Sequence, residues 1–558
     1  MKQFIITIAS LIILIPLSTY SQFINNGSHI SLTSGAALVF DSINFTNQTS
    51  TYDGDITSAG KIYVKGNWTN SATGGQLFDS TASAGEVIFT GYATHTISGR
   101  TTHFYKLSTL SYAKVDVSAA NLIKVYNYFT NNGTFTLKSN TTRTAMLIDA
   151  GADSMLTGSG TYKFERYIPQ GGWHYVSSPI VYTTNSSNFF WGGALYDYNE
   201  TAHSWTKKQN NQQLDVMRGY DAYFKNGDKT IVFSGKYNTG EISISLTKNS
   251  DGYNFIGNPY PCTVDWDNSN GWTKTNIDNA IYIWDPALNS GQGDYMEYVN
   301  GVGNRGGTRY IPATQAFWVK CNSSYGGSLT IKNAAKGYAT SPYFRSEERF
   351  ELIRVFAAQD AFSNETTICF NRDASQSFDP KYDALKIFHS NVSVPQLYTI
   401  SEDQKELAIN ATKDMGTFTI IPLYLKPGSD GKCKLAFDLS EIDNFRNVYL
   451  EDLFENKIFD LRMSNKIEIT AIMSDNPHRF NIIFTDPMQI SQYNHDNRSN
   501  LNEEQNNENL VYYSNGAIYL YCNELTGAES IVIYKAPAPT KLFTNKDEAL
   551  IWLEQFKS

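Results

Sequence analysis

Gly60-Lys-Ile62-Tyr-Val64, Gly85-Glu-Val87-Ile-Phe89, Gly133-Thr-Phe135-Thr-Leu137 and Gly160-Thr-Tyr162-Lys-Phe164 repeat one pattern: a glycine turn, then a short strand with apolar residues at alternate places. Gly27-Ser-His-Ile30-Ser-Leu32 opens the series, and its glycines lie 33, 25, 48 and 27 residues apart, 48 being close to two steps of 24. This spacing suits the coils of a parallel β-solenoid, in which each coil buries its inward residues on the next. A β-sandwich of regular hairpins is the competing reading. Either gives a long, rigid surface over residues 22–168.

The rest of the chain has the same character. Of 558 residues, 36 are Tyr and 32 Phe, while only 18% are charged. Aromatic and β-branched residues fill pleated faces, and the abundant Asn, Ser and Gly make turns. The expectation is therefore all-β: a solenoid-like region followed by two antiparallel β-sandwich domains, a small C-terminal β unit and a terminal helix. A net charge of -9 and a pI near 5.5 argue against nucleic acid or anionic lipid as a partner.

The N-terminus fixes an expected location. Lys2, an apolar run from Phe4 to Ile15, and Thr19-Tyr20-Ser21 before Gln22 read as a signal peptide over residues 1–21. No later stretch approaches the ~20 apolar residues of a membrane span. The mature chain is expected to be secreted or held at the outer cell surface. Cys262, Cys321, Cys369, Cys433 and Cys522 form no C-x-x-C pair. They read as buried small hydrophobes, a Cys262 to Cys321 bridge being the alternative.

Residues 169–342 carry seven of the nine tryptophans, namely Trp173, Trp191, Trp205, Trp266, Trp272, Trp284 and Trp318. Alternation in Thr230-Ile-Val-Phe233 and Glu241-Ile-Ser-Ile-Ser-Leu246 marks strands of the first sandwich. Residues 343–487 alternate in the same way through Phe418-Thr-Ile-Ile-Pro-Leu423 and Phe480-Asn-Ile-Ile-Phe484, the second sandwich.

Several spaced motifs here resemble modules of large exported proteins of the Bacteroidetes. In the first sandwich they are Tyr253-Asn-Phe-Ile-Gly257-Asn258-Pro259-Tyr260-Pro261, Ala280-Ile-Tyr-Ile-Trp284-Asp285 and Ile311-Pro312-Ala-Thr-Gln315-Ala-Phe317-Trp-Val319. In the second they are Tyr382-Asp383-Ala-Leu-Lys386, Leu407-Ala-Ile-Asn410, Val448-Tyr-Leu450-Glu451-Asp452 and Arg479-Phe480. The resemblance implies export and a scaffold or adhesive role, and brings no catalytic residues.

An Asn- and Glu-rich linker follows over 488–510. Strand runs at Val511-Tyr-Tyr, Ile518-Tyr-Leu520 and Ile531-Val-Ile533-Tyr then resemble the start of a type IX secretion sorting domain over 511–535, a signal read by export machinery. The pattern departs from that domain at Pro537 and Pro539. Over 536–558, Thr544, with Asp547 three residues on, would cap a helix whose stripe is Ala549, Leu550, Trp552, Leu553 and Phe556.

Chemistry is sparse. The eight histidines fall on separate segments without metal-ligand spacing, and no nucleophile elbow or phosphate loop occurs. Gly301-Val-Gly303-Asn-Arg-Gly306-Gly307 has the outline of a dinucleotide fingerprint but opens no helix, so it reads as a loop. Asp265-Trp-Asp267-Asn268-Ser269-Asn270-Gly271 gathers oxygens as a calcium loop does, with its glycine one place late and Asn276 where a glutamate belongs. A solvated Asx turn is the other reading, and no cofactor is otherwise indicated.

Trp266, Trp272, Trp284, Tyr295 and Tyr298, with Asp265 and Asp267 to bond hydroxyls, form the candidate sugar-stacking platform, weighed against burial in the sandwich core. No catalytic or metal-binding residue is singled out. The sequence thus points to a non-enzymatic adhesin-like or scaffold protein whose partners would be polysaccharide or cell-surface components. The alternative is a polysaccharide-degrading enzyme with a solenoid catalytic domain, for which Asp79, Asp149, Lys163 and Arg166 offer acid and base.

Overall fold

The computed structural model describes residues 21–74, 77–78, 84–150, 155–181, 193–209, 211–337, 350–413, 418–442 and 447–485, with short strands at 6–7, 510–514, 517–521 and 532–534. Most of the expected signal peptide, the linker, Asp79, Trp191, the Asn515-Gly516 turn and the terminal helix lie outside these residues. The chain divides into two units, 1–486 and 487–558.

The first unit begins as a parallel β-solenoid with three faces. On the first face the strands Gln22–Asn26, Asn44–Gln48, Trp68–Asn70, Thr94–Gly99, Lys114–Val117, Thr134–Leu137 and Thr161–Ile168 pair in order, all parallel. Paired positions lie 22, 23, 29, 20, 20 and 27 residues apart along the chain, as in Gln22 with Asn44, Phe45 with Trp68, Trp68 with Ile97, Thr94 with Lys114, Lys114 with Thr134 and Thr134 with Thr161. The third face stacks six strands from Ala37–Phe40 to Leu156–Thr157. The second carries Thr102–Phe104, Leu122–Val125 and Met146–Asp149 in its later coils.

Alternation explains the stack. Phe45, Trp68, Val115, Phe135 and Phe164 all point inward and are buried, and the Phe45 and Trp68 rings lie 4.3 Å apart. Buried asparagines form a second internal ladder: Asn25 Nδ2 donates to Asn47 Oδ1 at 2.9 Å, and Asn47 Nδ2 to Asn70 Oδ1 at 3.1 Å. Each amide thus satisfies its neighbour where no water reaches. Glycines are required at corners where coils touch: a Cβ on Gly160 would stand 2.4 Å from the Gly133 carbonyl oxygen.

The stack does not end at Ile168. Lys229–Tyr237 lies antiparallel along Thr161–Ile168, pairing Tyr162 with Gly235 through Ile168 with Lys229, and Ile180–Val181 adds beyond it. The solenoid core accordingly continues into Val176, Leu195, Tyr220, Phe224 and Phe233. Asp149 of the last coil forms a fully buried ion pair with Lys336.

Apart from Ile180–Val181 and Lys229–Tyr237, the described strands of residues 173–337 form four antiparallel sheets. One orders Trp173–Val176, Tyr220–Phe224, Gly193–Asn199 and Ser204–Lys207; a five-stranded one runs from Tyr253–Gly257 through Ala316–Lys320, Ile281–Asp285 and Asp294–Val299 to Val302–Asn304. The glycine-rich run at 301–307 is a tight hairpin and loop in which neither Gly303, against the Gly307 carbonyl, nor Gly307, against the Glu297 carbonyl, tolerates a side chain. It delivers Arg305 to a buried cluster with Asp294, Glu297, Glu365 and Lys386, which joins this region to the next.

The described residues of 351–485 build one continuous sheet of eleven strands, with Ile353, Leu397, Leu423, Leu435, Val448 and Phe480 in one core and Leu352, Cys369, Ile409 and Ala411 in a second, shared with Phe255, Tyr282 and Trp318. Its pairing is antiparallel except that Phe362–Phe370 runs parallel to Glu406–Thr412. The long connection between them makes the crossover that a parallel pair requires.

The four described cysteines are buried thiols, Cys262 and Cys321 among them, so the stability of this unit rests on packing. No helix among the described residues is long and apolar enough to cross a membrane. In the second unit, Leu510–Ser514, Ala517–Tyr521 and Val532–Tyr534 form a three-stranded antiparallel sheet.

Candidate functional site: an aromatic sheet face around Asp221

The residues singled out from sequence separate into two groups. Trp266 and Trp272 are only 1% and 7% exposed, and Tyr298 is buried with them. Each indole N–H is committed, Trp266 Nε1 donating to the Asn279 carbonyl and Trp272 Nε1 to the Asp265 carbonyl, both at 2.7 Å. Asp265 receives a bidentate pair from Arg309, with Nε and Nη2 each at 2.6 Å. Asp267 accepts from the Tyr298 hydroxyl, and burial raises its carboxyl above the usual range.

Lys274 Nζ sits 3.6 Å above the Trp266 ring, and burial draws its ammonium down to about 8. A cleft of about 360 Å3 lies over this cluster, but the indole faces are sealed below it. The loop closes on itself, Asp267 N–H donating to Asp265 Oδ1 and Asn270 N–H to Asn268 Oδ1. These are Asx turns, with the Asp265 and Asp267 carboxylates engaged by Arg309 and Tyr298.

Trp284 and Tyr295 belong elsewhere. Tyr175 and Tyr295 share a hydroxyl hydrogen bond of 3.0 Å, Trp318 Nε1 donates to Tyr175 at 3.2 Å, and the Trp284 ring lies 5.1 Å from Tyr295 and 6.2 Å from Tyr175. Gly293 makes room for the Trp284 indole, since a Cβ there would stand 2.1 Å from the ring. These rings wall one side of an aromatic sheet face that the sequence did not reveal.

That face follows from strand register. Trp173 pairs with Tyr223, Tyr175 with Asp221, Asp221 with Tyr196, and Tyr198 with Trp205. Paired residues share a side of the sheet, so Trp173, Tyr175, Tyr196, Tyr198, Trp205, Asp221 and Tyr223 stand together. The opposite side carries Val176, Leu195, Tyr220, Ala222 and Phe224 into the solenoid core.

Trp173 and Trp205 are 42% and 40% exposed, unlike the Trp266 cluster. The Trp173 ring lies 5.1 Å from Tyr223 and 5.7 Å from Tyr196, a contiguous and partly open patch. Asp221 is the one carboxylate on this face among the described residues. Its Oδ1 is buried without a hydrogen-bond donor, and burial is the one cause of its shift, with no cation contributing. Burial pushes its carboxyl up to about 8, and burial, with a smaller contribution from Asp221, raises the Tyr175 and Tyr295 hydroxyls.

Stacking rings beside a carboxyl able to donate or accept one hydrogen bond suit the apolar face and hydroxyl edge of a sugar. Most glycoside hydrolases place two carboxyl groups across the scissile bond; among the described residues this face presents one. Of the acid and base residues noted in the solenoid, Asp149 is locked with Lys336, and Arg166 bonds neutral oxygens of 313–315.

A family model described as a domain of unknown function, DUF8693, matches residues 61–484. The chain belongs to the DUF8693 family. The match starts in the second coil of the solenoid and ends in the last long strand of the unit, so the DUF8693 region includes the aromatic face and the sheets around it. No curated protein and no solved structure matches the chain.

Proposed function

We propose that this protein is an exported, non-enzymatic surface or scaffold protein that holds polysaccharide on the aromatic face around Asp221. The observation that carries the reading is the contrast in exposure: Trp173 is open beside Tyr196 and Tyr223, and the Asp221 carboxyl between them has no internal partner. The sheet is backed by the solenoid core, so its rings are pre-positioned and binding orders little. The N-terminal apolar segment and the motif resemblance to exported Bacteroidetes modules support a location at the cell surface or in the medium, with type IX export as the route.

Glycan-array binding of the purified full chain tests this. The expected result is retention of one class of neutral or mixed glycan, lost in the Trp173→Ala/Tyr223→Ala variant and kept in an exposed-tyrosine control, Tyr325→Ala. Unchanged binding by the double variant removes the site from the proposal. Release of reducing ends from a bound glycan replaces it with the polysaccharide-degrading alternative.

A further inference from the structure

A second groove, of about 1050 Å3, runs along one edge of the solenoid. Its wall is the corner where the chain leaves the first face for the second. Thr73 and Gly74, then Gly99, Arg100 and Thr101, then Ala120, then Ser139 through Thr144 supply it from four successive coils. Arg166, Pro169 and the Pro312-Ala313 segment close its far end.

The lining is chemically one-sided. It contains Arg100, Arg143 and Arg166, seven side-chain hydroxyls from Ser and Thr, and no Asp or Glu, in a chain whose net charge is -9. Arg100 and Arg143 are exposed, and neither forms an ion pair among the described residues. Arg166 is the more telling group. Its Nη1 donates to the Ala313 carbonyl at 3.1 Å and to Thr314 Oγ1 at 2.9 Å, and Nη2 reaches Gln315 Oε1 at 3.4 Å.

All the partners of Arg166 are neutral, and burial draws its guanidinium down to about 10. An enclosed cation without a counter-charge is costly to the fold, and it is the kind of group an arriving anion would repay. The acids behind the wall are already engaged: Asp53 accepts from Thr49, Thr73 and Gly74, Glu165 from Lys138 and the Ser139 N–H, and Asp228 from Tyr167 and the Gln170 N–H.

We propose that this groove binds an extended acidic polysaccharide, its carboxylate or sulfate groups held by Arg100, Arg143 and Arg166 and its hydroxyls by the threonine-lined corner. Geometry favours a polymer over a compact ion. Arg100 and Arg143 leave first-face strands two apart in the stack, a separation of about 10 Å at ~4.8 Å per strand, and Arg166 lies on the next strand along. Arginine forks match carboxylate and sulfate, and a row of hydroxyls matches a sugar chain. The volume, about 1050 Å3, is just above the ~300 to 1,000 Å3 of ordinary ligand pockets, which accommodates several sugar units. This site is independent of the aromatic face, which carries no arginine.

Affinity electrophoresis of the full chain in gels containing polygalacturonate, dextran sulfate or neutral dextran is the test, with a single-stranded DNA oligonucleotide as a polyanion control. Retardation is expected in one or both acidic glycans and not in dextran, weakening as salt rises. Arg100→Ala/Arg143→Ala, both exposed positions, should weaken it about tenfold or more, and Arg100→Lys/Arg143→Lys should restore part. Trp173→Ala should leave it unchanged, which separates this site from the aromatic face. Equal retardation by the double alanine variant, equal binding to dextran, or binding to DNA as tight as to the glycans would each overturn the proposal.

Discussion

The Trp266 cleft and the Trp173 sheet face are both rich in aromatic rings with a carboxylate at hand, yet they are opposites. At Trp266 the indoles and both carboxylates have internal partners: the indoles donate to carbonyls, Arg309 takes Asp265, and Tyr298 takes Asp267. At Trp173 the rings stay open and Asp221 is left without one. A cluster whose hydrogen bonds are already satisfied is architecture, whereas an unsatisfied group in an open setting is stored binding capacity.

The contrast is sharpest in stability. Trp266→Ala removes a fully buried indole and its hydrogen bond, with an expected loss of about 3 to 5 kcal/mol in urea unfolding. Trp173→Ala should cost less than about 1 kcal/mol while removing glycan retention. Comparable losses at the two sites would erase the distinction. A loss of similar size to the first, about 3 to 5 kcal/mol, is expected for Lys336→Met, which strands Asp149 at the junction of the solenoid and the Trp266 region.

Asp221 supplies a pH test. Its folded value, about 8, lies above its ordinary one of 3.8, so between these the folded state holds the proton and the unfolded state has released it. The stabilising contribution of the neutral carboxyl is full below about 4 and is lost as pH rises through 8. Asp221→Asn should therefore flatten the fall of melting temperature between pH 6 and 9 and be the more stable protein at pH 9. After discounting for its partial contact with solvent, the gain should be about 1 kcal/mol or more. An unchanged pH profile would show the carboxyl to be better solvated than the geometry requires.

The smallest effect concerns the Asp265 loop. Millimolar calcium should shift the melting temperature by less than about 1 °C, since a ligand stabilises only as far as it binds the folded state. A larger shift, abolished in Asp267→Asn, would turn that loop from closed turn into metal site.

The β-solenoid was legible because strand alternation is local, but its corners were not. Gly27 precedes a second-face strand, Gly60 and Gly85 third-face strands, and Gly133 and Gly160 first-face strands, so only the latter two pairs mark one true coil each. The sharper signal was an aromatic, one residue, then asparagine: Phe23-Ile-Asn25, Phe45-Thr-Asn47 and Trp68-Thr-Asn70, which stack as adjacent first-face strands.

The site was harder to read for the same reason. Asp265, Trp266, Asp267 and Trp272 are neighbours in sequence, so their proximity is visible in it. Trp173, Tyr196 and Tyr223 lie 23 and 27 residues apart and meet only through antiparallel register. Their alternation gave apolar or aromatic residues on both sides of each strand, a pattern that burial on two faces produces equally well.

An exposed solenoid end offers unpaired backbone to any chain of like pattern, and coils of one molecule then template coils of the next. Here Lys229–Tyr237 lies across the final coil in the reverse direction, and that runs against continuation. The turn count is thereby bounded at this end by the protein's own strand, so these molecules are built to remain discrete rather than grow into filaments from it.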